Sequence, residues 1–83
     1  MTNLEEKVRK LTEKMTRYVH DTNPFEYTFE EMLSMAFDTY FELLNGEHLD
    51  EHIEYFKNEI IECEDEYFVK IALNILSELY ELK

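Results

Sequence analysis

Thr28-Phe29-Glu30-Glu31-Met32-Leu33-Ser34-Met35-Ala36-Phe37-Asp38-Thr39-Tyr40-Phe41-Glu42-Leu43-Leu44-Asn45-Gly46 is the stretch whose reading decides the fold. Thr28 with Glu31 three residues on is a capping box, and Tyr27 before the cap can staple onto Met32. Gly46 supplies the left-handed residue on which helices commonly stop. Between these signals Phe29, Met32, Leu33, Ala36, Phe37, Tyr40, Phe41 and Leu44 recur at spacings of three and four, which predicts a helix over 29–45. So broad an apolar stripe predicts that this helix lies at the centre of the core.

Upstream, Asp21-Thr22-Asn23-Pro24 is a break, because proline disfavours helical geometry at the preceding residue and lacks a backbone donor. Before it, a helix over about 4–20 is expected, capped by Thr2 or Asn3 with Glu5 or Glu6 three residues on. Its apolar positions, Leu4, Val8, Leu11, Met15 and Tyr18, alternate spacings of four and three, a narrow seam of the coiled-coil kind. Two heptads fall short of the three or four that specify a coiled coil, so the seam is expected to pack inside the domain. A homodimer through these five residues is the alternative.

Downstream, a third helix over about 47–63 turns Leu49, Ile53, Phe56 and Ile60 inward and Glu47, Glu51, Glu54, Asn58 and Glu62 outward. Asp65 then caps a fourth helix over about 66–82. Its apolar residues, Phe68, Val69, Ile71, Ala72, Leu73, Ile75, Leu76, Leu79, Tyr80 and Leu82, fall on most of its sides, so it is expected to be widely buried or to meet a partner. One Gly and one Pro in 83 residues leave little room for anything but helix. The expected class is all-α: a small single-domain bundle of about four helices spanning residues 1–83.

Composition agrees with a folded domain. Hydrophobic residues make up 45% of the chain and aromatics 14%, far more than a disordered acidic tail carries. Cys63 is the only cysteine and has no partner for an internal disulfide, and the first residues lack the apolar run of a secretory signal. A cytoplasmic protein is expected. No apolar stretch is long enough to span a membrane, and the negative balance disfavours anionic lipid.

Charge is the feature that speaks to function. The net charge is −12, and it is unevenly placed: Lys7, Arg9, Lys10, Lys14 and Arg17 outnumber Glu5, Glu6 and Glu13 in the first twenty residues. Beyond residue 20, only Lys57, Lys70 and Lys83 stand against 17 acids. Such a field attracts basic surfaces and repels nucleic acid. Carboxylates on neighbouring turns lie about 5 to 6 Å apart, close to the spacing of phosphates along one nucleic-acid strand.

Reactive constellations are sparse. His48-Leu49-Asp50-Glu51-His52 matches the H-x-x-E-H pattern of inverted zinc peptidases, with both histidines expected on one helical face, but His20 is the only other histidine and sits beside a turn. Glu30-Glu31 and Glu62-Cys63-Glu64-Asp65 resemble, over those few positions, the paired acidic motifs of all-α nucleotide pyrophosphohydrolases, a likeness that would imply magnesium-assisted hydrolysis. Ser34 stands where that family has its next carboxylate. Cys63 lies among Glu62, Glu64, Asp65 and Glu66, which disfavour a thiolate. No catalytic residue, metal site or cofactor is therefore expected, and the protein is not expected to be an enzyme.

The expected function is binding and regulation of a basic protein partner, a nucleic-acid-binding protein or nuclease, without direct contact to nucleic acid or membrane. In size and charge the chain is similar to small acidic immunity proteins and DNA-mimicking inhibitors. The expected contact residues are Glu47, Asp50, Glu51, Glu54, Glu59, Glu62, Glu64, Asp65 and Glu66, with Tyr55 and Tyr67 as aromatic anchors. The competing expectation is a structural or adaptor protein that assembles through the first and fourth helices.

Overall fold

The computed structural model describes residues 3–83 and contains four helices: α1 (Asn3–Thr22), α2 (Phe29–Asn45), α3 (Leu49–Glu62) and α4 (Glu66–Glu81). Most of the local signals act as the sequence predicts. The Thr28 side chain accepts the Glu31 N–H while the Glu31 carboxylate accepts the Thr28 N–H, which completes the capping box. Asp65 accepts the Tyr67 N–H at 2.9 Å and starts α4. Of the two caps expected for α1, Thr2 lies outside the described residues and Asn3 is already helical.

Gly46 ends α2 at φ 73°, donating to the carbonyls of Glu42 and Leu43. The Glu47 N–H then reaches back to the Glu42 carbonyl at 2.7 Å, so Glu47 is spent on closing α2. His48 follows with a left-handed φ of 56°. For this reason α3 begins at Leu49, two residues later than expected.

The helices form two hairpins. α1 packs along α2, α3 along α4, and the two pairs join where α1 crosses α4. Val8, Leu11, Met15 and Tyr18 from α1, Ile53 and Phe56 from α3, and Ala72, Ile75 and Leu79 from α4 meet in one core, each at most 5% exposed. The narrow seam of α1 is thus closed by the chain's own α3 and α4, except at Leu4, which is 47% exposed. Tyr18 anchors it, its ring edge-on to Phe56 at 5.3 Å and to Phe68 at 6.0 Å, and its hydroxyl donating to Glu59 at 3.0 Å. Burial and the Glu59 carboxylate both hold that phenol well above its ordinary pKa.

The expectation that α2 is central is wrong. Leu43 is its only member of the common core, with Tyr40 and Leu44 packed beside it, while Phe29, Leu33, Phe37 and Phe41 face outward. Helical geometry supplies the reason. Residues four apart advance about 400° around the axis, so a row of four drifts roughly 120° across the helix and cannot follow one neighbour throughout. At 19 Å the molecule is about two helices thick in its narrowest direction, and a helix at its margin has a neighbour on one side only.

Candidate functional site

The acidic ridge is built by α3 and the two turns that flank it. Ile53 and Phe56 bind the inner face of α3 to the core, which forces the residues between them outward. Glu51, Glu54, Asn58 and Glu62 are exposed on that outer side, Asp50 lies at its edge, and Glu47 precedes it. Glu64, Asp65 and Glu66 extend the acidic surface around the turn into α4, all exposed. Fourteen residues of α3 span about 21 Å, so the ridge runs the length of that helix.

Not every expected contact residue is equally available. Asp50 pairs with Lys83 at 3.0 Å, Glu51 with His48 at 3.1 Å, and Asp65 is held by its capping bond. Glu59 is half-buried and accepts the Tyr18 hydroxyl, which makes it a structural residue first. Glu47, Glu54, Glu62, Glu64 and Glu66 form no ion pair among the described residues. Tyr67 is exposed at the α4 end of the ridge. Tyr55 is partly exposed over a cleft among α1, α2 and α3, where burial and the nearby Glu59 push its phenol up to about 12.

The basic residues of α1 go elsewhere. Lys7 pairs with Glu81 at 3.0 Å, Lys14 with Glu78, Arg9 with Glu13 at 2.8 Å and Lys10 with Glu6 at 3.5 Å. They fasten α1 to α4 or to itself and leave the α3 ridge untouched.

The constellations with catalytic overtones separate. His48 stands in the turn before α3, where the Glu51 carboxylate holds its imidazole above the ordinary pKa, while His52 lies within α3 and meets Glu42 of α2 at 2.9 Å. The two histidines do not share a helical face. Glu31 is occupied with its cap, and Glu30 and the Glu62–Asp65 segment belong to different hairpins. No three His, Cys, Asp or Glu side chains among the described residues are grouped to hold a metal ion. Among the same residues, no helix is long and apolar enough to cross a membrane.

The outer face of α2 is what the sequence pattern does not reveal: the stripe expected at the centre of the core includes Phe29, Leu33, Phe37 and Phe41, all of which are exposed. The four-residue spacing was the available signal, because a row at that spacing climbs around its helix. Comparison with known protein families, characterised proteins and solved structures returned no match.

Proposed function

We propose that this protein is an acidic binding module that inhibits or regulates a basic protein, with nucleic-acid-binding proteins and nucleases as the partner class its charge fits. The observation that carries the reading is the failure of the chain's own cations to neutralise the ridge. Lys7 and Lys14 are committed to α4, and Glu47, Glu54, Glu62, Glu64 and Glu66 stay exposed without an ion pair among the described residues. α3 even ends on Glu62 with no basic residue in its last turn, although the helix dipole favours a cation there. Unbalanced carboxylates that weaken the isolated domain are relieved by a partner that brings arginine or lysine. Tyr67 would supply an aromatic anchor beside them, and the charges would mainly speed encounter.

The test is affinity capture from the host at low salt with identification by mass spectrometry, run beside the variant Glu47→Lys/Glu54→Lys/Glu62→Lys/Glu64→Lys. The expected result is a basic nucleic-acid-binding protein or nuclease held by the wild type and lost by the variant. Recovery of no basic partner, or equal binding by both chains, refutes the reading.

A further inference from the structure

The outer face of α2 carries Phe29, Leu33, Phe37 and Phe41 in one row, 80, 47, 58 and 55% exposed. Taking a whole aromatic residue at about 200 Å², its three phenylalanines alone present roughly 390 Å² to solvent. A standard protein interface buries about 800 Å² per partner, somewhat over half of it apolar. The row therefore supplies most of the apolar surface that one side of a specific interface needs, from a single helix. That is the scale of the largest apolar patch on a typical monomer, about 300 to 600 Å², and such patches are often functional.

We propose that this face joins two copies of the chain, α2 against α2, about a two-fold axis that runs along the helices. Residues four apart form the ridges that interdigitate when two helices cross at about −50°, and this row is one such ridge. The flanks of the row are complementary to each other. On the α1 side stands Arg17, which lines a groove with Phe29, Met32, Glu13 and Asp21; Glu13 is paired with Arg9 and Asp21 lies against His20, whereas Arg17 has no ion pair among the described residues. On the opposite flank stand Glu30 and Asp38, exposed and likewise unpaired among the described residues. A two-fold axis along α2 exchanges left and right at constant height, so Arg17 of each copy meets the Glu30 flank of the other. An axis across α2 would set carboxylates against carboxylates. Self-complementarity of this kind is what a closed two-fold interface requires, and the symmetry doubles every contact.

The inference does not depend on the acidic-ridge reading, and salt separates the two. Two chains of net charge −12 repel, so an apolar self-association tightens as salt screens that repulsion, whereas capture of a basic partner weakens. The experiment is sedimentation equilibrium of the full chain over a concentration series reaching about 100 µM, a range that detects micromolar affinity, at low and at high sodium chloride. A monomer–dimer equilibrium that tightens with salt is expected. Phe37→Glu, at a position already more than half exposed, should keep the helical circular dichroism and raise the dimer dissociation constant at least about 30-fold, the loss of one hot-spot residue. Arg17→Glu should weaken the dimer, and Arg17→Glu/Glu30→Arg should restore it. A chain that stays monomeric at both salts, a Phe37→Glu variant that dimerises normally, or a charge swap without rescue overturns the proposal.

Discussion

α2 and α4 are both rich in apolar residues, yet α4 buries Ala72, Ile75 and Leu79 completely while α2 gives the common core only Leu43. α4 has α1 on one side and α3 on the other, so its inner residues find neighbours on two sides, while Leu73 and Tyr80 on its outer face stay 50 and 44% exposed. α2 has α1 alongside and is fastened to α3 at one end by the Glu42–His52 pair. The comparison teaches that apolar breadth counts the contacts a helix can make, whereas burial counts the neighbours that the topology delivers. An apolar residue without a neighbour inside the chain is a contact offered outward.

The sharpest way to break this comparison is to truncate one residue from each helix. Ile75→Ala should cost about 3 to 4 kcal/mol, as loss of a fully enclosed branched side chain does. Phe37→Ala, measured by urea unfolding at a dilution where the chain is monomeric, should change stability by no more than about 0.5 kcal/mol. Equal losses at the two positions would place α2 in the core after all. A smaller effect is expected where the two hairpins are joined by a polar contact. Tyr18→Phe should cost about 1 to 2 kcal/mol through the lost bond to the Glu59 carboxylate.

The α1–α2 contact, by contrast, is where stability is available to be gained. The Thr12 hydroxyl is buried without a hydrogen-bond partner among the described residues, so Thr12→Val should raise stability by about 1 kcal/mol in the same unfolding assay. At the end of α2, Gly46→Ala should cost about 1 kcal/mol: an added Cβ would meet nothing within 4 Å, so the penalty is the left-handed backbone alone.

The least effect is expected from alkaline titration at the cleft among α1, α2 and α3. The Tyr55 phenol is raised from 10.0 to about 12, so the folded chain keeps a proton that the unfolded chain releases. Its contribution is present below pH 10 and declines as pH rises from there through 12. Ultraviolet absorbance should show a tyrosine ionising near pH 12 that Tyr55→Phe removes, and a Tyr55 that ionised near pH 10 would mean that the cleft is open to water.

Much of the fold was legible in the sequence because its signals act over short distances. The Thr28–Glu31 box, the Asp65 cap and the Gly46 stop each involve atoms within five residues, and all three appear where the residues predict them. The α1 seam was legible for the same reason, since Val8, Leu11, Met15 and Tyr18 share a face in any helix. The ridge was legible as a consequence of the inward residues of α3. Glu59 was not, because its bond to Tyr18 joins residues 41 positions apart.

By itself, then, the sequence determined four helices, the caps of α2 and α4, the inner faces of α1 and α3 and an excess of carboxylate that the chain's own cations are too few to balance. Only the tertiary structure decided that α4 rather than α2 supplies the common core, that Lys7 and Lys14 reach Glu81 and Glu78 instead of the ridge, and that Phe29, Leu33, Phe37 and Phe41 stand open. The physical reason is that caps and periodicity are set along one segment of backbone. The neighbours of a helix are set by how distant segments share one small core, and in a chain of 83 residues that core draws mainly on one of its two most apolar helices.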